Sequence, residues 1–583
     1  MHFQNFEKDN KIKIIIILFM IYVVGVIIYY SLGNFYKHLG YVPDERLYIQ
    51  AAKALANGDG LYYNGVKGSF QKIVYSAVIS PAYLVKDLFI QIKLVCLIGT
   101  LFNMTSVFPI YLICRKLKLN RVKSLFVCLF CLSFPMFLFS MTFMSETAFL
   151  PLWLWTVYFI LLMLDSNDTL YVPIILGILS YLLYMCKEVG IVAIPALFVL
   201  KIYLLIIKRE ALNRLIPCFI SVAVFAVLFL LGRYVLFDGE LSSYSYGLVV
   251  PKVSDTSDKN SIYVFFYSFL FFLGYLILIS FVFPIFFRAK GDCLINRFSL
   301  YLEISILLLV IIVVYKISLN EDYGLLSPRL HLRYFEPLLI PYFICFVTRL
   351  DSEDEDVCFE SKYSDLALLI YLVVIILLPG LNQYGILDAT TTGVLLMPEK
   401  ISNYFFLGSP RKTLFFSFLM KLIIVLVIIL ERKTLKTNKK VFTILFLSIS
   451  FFINFVGVYI KVNDIRQLYK MPRCDVEEMQ IINDELKTLS GDKLIITNES
   501  GRLADVVVTY YDINNTDVYL AKDEYIMMDK NITLKAGNNF REVNIDEYDY
   551  IVYSNNVLEV SDRESISPDR IILTTQNFII IEN

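Results

Sequence analysis

The sequence has little charge for its length. Of its 583 residues, 18% are charged and 57% are hydrophobic, whereas soluble globular domains carry about 25% charged residues. A mean hydropathy of +0.65 over this length excludes one large soluble core and predicts a multi-pass membrane protein. Lys plus Arg equals Asp plus Glu at 53 each, so the net charge gives no reason to expect a nucleic-acid partner.

Histidine is also scarce. The three histidines, His2, His38 and His331, lack the close spacing of a histidine-based metal site, so any divalent cation would be held by carboxylates. The ten cysteines mostly lie inside apolar runs, where cysteine acts as a small hydrophobe. Cys128 and Cys131 have CxxC spacing but also lie in such a run. We therefore predict no disulfide framework and no cofactor, with a carboxylate-bound divalent cation left open.

About thirteen apolar runs are near the roughly 20 residues that a membrane-spanning helix needs. The first, at 12–32, lacks a small-residue cleavage site and predicts a retained helix rather than a removed signal. The others lie at 91–114, 124–143, 146–164, 169–186, 189–208, 212–236, 263–287, 298–316, 334–348, 364–380, 413–431 and 441–460. The sequence thus predicts a mainly α-helical, polytopic membrane domain over residues 1–460.

Lys and Arg in short loops orient these spans. In a thirteen-span protein, all the basic clusters fall on one side of the membrane. They lie at 115–123, 208–209, 288–290 and 431–440. The positive-inside rule identifies that side as the cytoplasmic one. The N-terminus is then cytoplasmic, in a cell-membrane protein. The longer polar segments face outward: 33–90, 237–262, 317–333, 381–412 and the tail.

The tail, 461–583, is polar and differs sharply from the rest. Strand-like runs occur at 493–497, 506–511, 548–553, 571–575 and 578–581, and a helical pattern covers 475–489. This mixture predicts a small extracytoplasmic α/β domain. It contains no Gly-rich phosphate loop and no recognisable catalytic motif.

The first outer loop, 33–90, opens with two adjacent carboxylates, Asp44 and Glu45, directly after Pro43. Asp44 is a suitable N-cap and Gly58 a suitable stop, which predicts a short interfacial helix between them. Taken alone, these residues favour a simple capping role for Asp44. Ser80-Pro81 and the apolar residues after it predict a second interfacial helix.

Charges beside membrane helices are costly, so each is a candidate for function. In the predicted topology they collect at the outer face, although any one of them could simply be solvated. They are Asp44, Glu45, Glu146, Lys187, Arg329, His331 and Arg333. Carboxylates can accept a proton from an attacking hydroxyl, and Arg and Lys can hold a phosphate. The set therefore suits transfer chemistry on a lipid-linked phosphate.

Several short motifs resemble one family. They are similar to motifs of membrane glycosyltransferases of the C-type fold, which include the protein O-mannosyltransferases and the lipid A aminoarabinose transferases. The motifs are Pro43-Asp44-Glu45 with Tyr48, Ala51-Ala52, Leu55 and Gly58, then Ser145-Glu146, and Arg333-Tyr334 with Pro337. The resemblance covers most of the chain to about residue 460. It implies an inverting transfer of a hexosyl or pentosyl group from a polyprenyl monophosphate to an acceptor hydroxyl on a protein, glycolipid or cell-wall polymer.

The resemblance also implies roles for the candidate residues. Asp44, with Glu45 beside it, would be catalytic, Asp44 acting as general base. Glu45 and Glu146 would orient the acceptor or bind a cation. Arg333 would hold the donor phosphate, aided by Arg329, Lys187 and His331. Because the loop has Asp44-Glu45 and no Asp-x-Asp, we expect a metal-independent mechanism.

Three other interpretations remain open. A transporter or lipid flippase would place polar groups near the bilayer midplane, whereas these charges collect at one face. A polymer transferase with a diphosphate-linked donor would need a large late outer loop, for which 381–412 is a modest candidate. An inactive scaffold presenting the tail is the third, and the presence of Asp44 argues against it.

Overall fold

A computed structural model describes the following residues: 11–33, 43–58, 60–63, 66–67, 72–165, 169–237, 293–318, 334–351, 419, 438–469, 476–498, 516–521, 531–536, 539–554, 566–575 and 578–583. The spans predicted at 263–287 and 364–380 and the strand predicted at 506–511 lie outside these residues, as does the span predicted at 413–431 apart from residue 419. So do most of the outer segments at 237–262, 317–333 and 381–412. The predicted total of about thirteen spans therefore stays a prediction.

Helices dominate the described chain before the tail. They are α1 (Lys11–Gly33), α2 (Pro43–Asn57), α3 (Ile73–Ile79), α4 (Leu88–Met104), α5 (Val107–Lys116), α6 (Arg121–Cys131), α7 (Glu146–Leu164), α8 (Tyr171–Cys186), α9 (Ala193–Ile206), α10 (Ile216–Phe237), α11 (Leu294–Ser318), α12 (Glu336–Asp351) and α13 (Lys439–Tyr469). Short 3₁₀ segments at Ser80–Leu84, Pro135–Met141, Glu188–Val192 and Leu212–Leu215 connect some of them.

The described helices confirm a multi-pass membrane protein. Six are long and apolar enough to cross a membrane, or seven if α6 and the bent segment after it form one span. The six lie where the sequence predicts spans. They are Ile12–Gly33, Phe89–Lys116, Glu146–Leu164, Glu188–Ile206, Leu212–Val235 and Leu294–Val313.

The span predicted at 124–143 is broken rather than continuous. Helix α6 ends at Cys131, and the 3₁₀ segment Pro135–Met141 continues at an angle of 57°. Pro135 explains the break, because proline lacks an N–H and forces the preceding residue out of the helical region. Phe134 is accordingly extended, with φ −68° and ψ 131°.

The first outer loop contains the predicted short helix, with one correction to its start. Helix α2 begins at Pro43, a favourable first residue because its missing N–H would have no helical partner. Asp44 therefore lies within the first turn and is not the N-cap. At the other end, Gly58 has φ +82°, the left-handed conformation that commonly terminates helices. Two short antiparallel strands, β1 (Tyr62–Tyr63) and β2 (Val66–Lys67), follow.

The second predicted interfacial helix is also present but begins earlier. Helix α3 runs from Ile73 directly into the 3₁₀ segment Ser80–Leu84, so Ser80-Pro81 lies in the middle of a helical stretch rather than at its start. Helix α2 packs against both parts of this stretch. Helix α3 in turn contacts α4, α7 and α8.

Helix α7 is the centre of the membrane part. It is hydrophobic on all sides, which is the pattern of a buried helix, and 83% of its residues in the apolar window are buried inside the protein. It contacts α3, α4, α5, α8, α9, α11 and α12. A charge at its first residue, Glu146, is consequently enclosed by neighbouring elements.

The tail contains helix α14 (Val476–Thr488), which contacts α4, and a seven-stranded sheet. Its strands are β3 (Lys493–Asn498), β4 (Thr516–Ala521), β5 (Asn531–Ala536), β6 (Asn539–Asn544), β7 (Tyr550–Ser554), β8 (Ile571–Thr574) and β9 (Phe578–Glu582). Their order in the sheet is β6-β5-β4-β3-β7-β9-β8. β3 pairs in parallel with β4 and β7, and the other pairs are antiparallel.

Candidate active site

Glu45 is held in the protein interior by the segment that precedes α7. Its side chain is fully buried, and its Oε1 accepts the backbone N–H of Phe143 at 3.2 Å. A buried carboxylate needs such a donor, because removing it from water is otherwise costly. The contact therefore ties the first turn of α2 to the start of α7.

Tyr48, one turn after Glu45 in α2, makes a second connection to α7. Its hydroxyl donates to Ser145 Oγ at 2.8 Å, and Ser145 Oγ lies 3.5 Å from Glu146 Oε2. The Ser145 carbonyl accepts the thiol of Cys186, the last residue of α8, at 3.4 Å. Ser145 thus joins α2, α7 and α8 at one point.

Glu146 and Lys187 form a buried ion pair at that point. Glu146 is the first residue of α7, where the helix dipole favours a negative charge. Lys187 directly follows α8 and is extended, with φ −159° and ψ 128°. Glu146 Oε1 contacts Lys187 Nζ, and the two side chains are only 3% and 9% exposed. The Lys187 ammonium also lies 4.3 Å from the centroid of the Tyr334 ring, a cation–π distance.

A second lysine lies beside this pair. Lys72, just before α3, places its Nζ 3.8 Å from Glu188 Oε1, and both side chains are partly exposed. Because Glu188 directly follows Lys187, the two ion pairs border the same short loop between α8 and α9. Lys72 is not among the residues predicted from the sequence, since a single lysine in a polar loop carries no pattern.

Two tyrosines of the outer loop complete the surroundings of Glu45. Burial raises the pKa of Tyr75, and Tyr83, Cys96, Glu45 and Glu146 raise it further. Burial likewise raises the pKa of Tyr83, with added effects of Cys96 and Glu45. Both phenols therefore stay protonated at neutral pH, and the Tyr75 ring packs edge-on against Tyr48 at 5.4 Å.

The structure brings together three of the seven residues selected from the sequence: Glu45, Glu146 and Lys187. The backbone of Asp44 lies in the first turn of α2, next to Glu45, but its side chain is outside the described part of the chain. Arg329, His331 and Arg333 are outside it too. Tyr334, which follows Arg333 in the sequence, is the residue that contacts Lys187.

Tyr48 and Ser145 have roles that the sequence did not assign. Both lie in the motifs that carry the family resemblance. The spacing of Glu45 and Tyr48 offered a signal, because residues three apart share a helix face. Within the described ranges, no group of three or more His, Cys, Asp or Glu side chains could hold a metal ion.

A narrow apolar cavity adjoins the ion pair through Tyr334. Its volume is about 10 Å³, which is room for about one water molecule. Four elements contribute to the walls: α7, the 3₁₀ segment Glu188–Val192, α11, and the start of α12 with Tyr334, two residues before it. The lining residues are Phe149, Trp153, Val189, Val192, Ser305, Leu309, Tyr334, Pro337 and Leu338.

Comparison with known proteins gives one family match and a full-length fold match. The family model of dolichyl-phosphate-mannose-protein mannosyltransferases matches residues 83–232. Two crystal structures of ArnT from Cupriavidus metallidurans each cover 96% of this chain and 97% of theirs. The apo structure is 13% identical with a TM-score of 0.51, and the structure bound to undecaprenyl phosphate is 12% identical with a TM-score of 0.52. No curated protein matches significantly. The comparisons support the resemblance drawn from the sequence, and the fold is similar to that of ArnT over nearly the whole chain.

Proposed function

We propose that the chain is an integral membrane glycosyltransferase. It would move a sugar from a polyprenyl-phosphate-linked donor to an acceptor hydroxyl at the outer face of the membrane. The observation that carries this proposal is the buried Lys187–Glu146 pair, which connects through Ser145 and Tyr48 to the first turn of α2. The family match and the ArnT-like fold add support, because the names of those proteins include sugar transfer or a polyprenyl phosphate.

The proposed reaction is a single displacement. The Asp44 carboxylate takes the proton of the acceptor hydroxyl, and the hydroxyl oxygen attacks the anomeric carbon. The bond from that carbon to the phosphate oxygen breaks on the opposite side, and its electron pair leaves with the polyprenyl phosphate. The product therefore has the inverted anomeric configuration. Glu45, fixed by the Phe143 N–H, would hold the first turn of α2 in place and orient the acceptor together with Glu146.

Lys187 and Lys72 would meet the donor phosphate, together with Arg333, Arg329 and His331. A phosphate binds most strongly to cations that are already desolvated and held in a fixed position. Lys187 is both, since Glu146 and the Tyr334 ring hold it. The adjacent Asp44-Glu45 differs from an Asp-x-Asp cation site, so the proposed mechanism uses no metal ion.

The proposed topology follows the basic loops. The N-terminus is cytoplasmic, and the domain at 461–583 is extracytoplasmic, where it would meet the acceptor. That acceptor is a protein, a glycolipid or a cell-wall polymer, which makes protein glycosylation or cell-envelope assembly the setting. The transferred group is a hexose or a pentose derivative.

The test is a reconstitution assay. Purified full-length protein in liposomes would receive labelled polyprenyl-phosphate sugars and a lysate of candidate acceptors. We expect label on an acceptor and release of polyprenyl phosphate. Movement of the intact donor between leaflets, equal in wild type and in Asp44→Asn, would favour the flippase alternative and contradict the proposal.

A further inference from the structure

The Lys187 ammonium, which the proposed reaction assigns to the donor phosphate, already contacts a carboxylate of the protein. Glu146 Oε1 contacts Lys187 Nζ, and the two side chains are only 3% and 9% exposed. The Tyr334 ring lies against the same ammonium, with its centroid 4.3 Å away. Glu146 and a donor phosphate therefore share one cation.

One ammonium cannot fully balance both anions. Carboxylate and phosphate oxygens are both strong acceptors for a charged N–H donor. Two anions that contact the same buried cation also repel each other, because the protein interior screens charges less than water does. A phosphate that reaches Lys187 consequently weakens the contact between Lys187 and Glu146.

Glu146 has other favourable contacts that remain when it separates from Lys187. It is the first residue of α7, where the helix dipole stabilises a negative charge. Its Oε2 also lies 3.5 Å from Ser145 Oγ, and Ser145 is held in turn by the Tyr48 hydroxyl at 2.8 Å. The carboxylate can therefore give up the ammonium without losing every partner.

The charge of the phosphate changes during the proposed reaction, which gives the exchange a purpose. A sugar phosphodiester carries one negative charge, whereas the polyprenyl phosphate that leaves is a monoester with about −1.5 to −2 at neutral pH. Lys187 alone would hold this product more tightly than the donor. An internal carboxylate that returns to Lys187 opposes that effect.

We propose that Glu146 is an internal competitor of the phosphate for Lys187. The donor phosphate displaces the Glu146 carboxylate on binding, and the return of Glu146 to Lys187 speeds release of the polyprenyl phosphate product. This inference rests on the proposed function and adds a step to it.

The experiment measures binding and dissociation of undecaprenyl phosphate with full-length protein in phosphatidylcholine nanodiscs. Glu146→Gln should bind the probe at least about tenfold more tightly and release it more slowly, since a desolvated charge contact is removed. A carboxylate that merely positions Lys187 would have the opposite effect. Weaker or unchanged binding in Glu146→Gln would overturn the proposal.

Glu146→Asp is the second variant, for the case that Glu146→Gln does not fold. It keeps the negative charge that compensates the buried ammonium, but its side chain is one methylene shorter, which weakens the contact with Lys187. Glu146→Asp should therefore also bind undecaprenyl phosphate more tightly than the wild type. Weaker or equal binding would again contradict the competition.

The chain offers a matched control in Glu210, a second carboxylate that contacts a buried lysine. Lys201 Nζ lies 2.8 Å from Glu210 Oε1, and the two side chains are 2% and 5% exposed. Glu210 follows α9, whereas Lys187 precedes it, and the 14 residues of α9 span about 20 Å. Glu210→Gln should change the affinity by less than about twofold. Equal tightening by Glu210→Gln and Glu146→Gln would assign the effect to overall charge and overturn the proposal.

The Lys187→Gln background separates competition from simple repulsion. Without the ammonium there is nothing to compete for, so adding Glu146→Gln should have much less effect than it has beside Lys187. The same tightening in both backgrounds would mean that Glu146 only repels the phosphate.

The inference and the proposed function can fail separately. If undecaprenyl phosphate binds the wild type, Lys187→Gln weakens it and Glu146→Gln does not tighten it, only the competition is wrong. If the probe binds neither the wild type nor any variant, the donor class is wrong, and the proposed function fails with it.

Discussion

The ammonium of Lys187 and the carboxylate of Glu146 meet in the protein interior, although the two residues are 41 positions apart and belong to different elements. Their side chains are almost fully removed from solvent. Neither charge would be stable there alone. The pair therefore fixes the end of α8 against the start of α7, where α2 also makes contact.

Breaking this pair on one side should destabilise the protein strongly. Lys187→Met leaves the Glu146 carboxylate buried without its cation, which costs about 3–5 kcal/mol. Thermal unfolding in detergent would measure the loss. The double variant Lys187→Met/Glu146→Leu should recover most of it, because neither charge remains buried.

Lys72→Met is the control for that prediction. Lys72 faces Glu188 at 3.8 Å with both side chains partly exposed, so its loss should cost no more than about 1 kcal/mol. Equal destabilisation by Lys72→Met and Lys187→Met would contradict the distinction between the two pairs.

Glu45 should contribute through the bond that it accepts from the Phe143 N–H. Glu45→Ala removes the acceptor and should lower stability by about 1.5–3 kcal/mol, the range for hydrogen bonds to charged groups. Glu45→Gln keeps an oxygen acceptor and should cost less. Denaturant unfolding of the two variants would decide, and an equal loss in both would show that the bond to Phe143 is not the cause.

Tyr48 and Ser145 should be energetically coupled, because the Tyr48 hydroxyl donates to Ser145 Oγ at 2.8 Å. A double-mutant cycle with Tyr48→Phe and Ser145→Ala should give a coupling energy of about 0.5–1.5 kcal/mol. Additive effects of the two substitutions would mean that this hydrogen bond makes no net contribution.

The tail sheet should lose stability at high pH. Burial raises the pKa of Tyr553 in β7 to about 12, an effect that Arg570 partly opposes. Because the folded pKa is above the ordinary value of about 10, folding favours the neutral phenol. Stability should be constant below pH 10 and fall between pH 10 and 12, by up to about 2.7 kcal/mol.

Tyr553→Phe provides the comparison for this pH effect. Hydrogen exchange of β7 at pH 9 and pH 11 would measure local opening in both proteins. The wild type should lose more protection between the two pH values than Tyr553→Phe. An identical loss in both would assign the effect to other groups.

Much of the fold could be predicted from the sequence because apolar length and helix signals are local. The span at 12–32 and the short helix ending before Gly58 are examples. Pro135 could have indicated the break in the span predicted at 124–143. The residues on both sides of it are apolar, however, so the whole segment matched the pattern of one continuous span. Strands such as Lys493–Asn498 were evident from their run of β-branched residues.

The candidate site was only partly predictable. Glu45, Glu146 and Lys187 could be selected because charges beside spans are rare, but their mutual contacts depend on how α2, α7 and α8 pack. The family resemblance implied that Glu146 orients the acceptor or binds a cation and that Lys187 holds the donor phosphate, whereas the structure pairs the two side chains. Lys72 and the cavity at Trp153 depend wholly on tertiary packing, which no local pattern records.

The most direct test of the proposed function is a single-turnover assay with Asp44→Asn. Wild-type and variant protein in liposomes would receive the same labelled donor and acceptor, with donor binding measured in parallel. We predict that Asp44→Asn binds the donor with nearly wild-type affinity and loses sugar transfer by at least about 10²-fold, as expected for a missing general base. Transfer at the wild-type rate in Asp44→Asn would contradict the proposed role of Asp44 and return that residue to a structural part of α2.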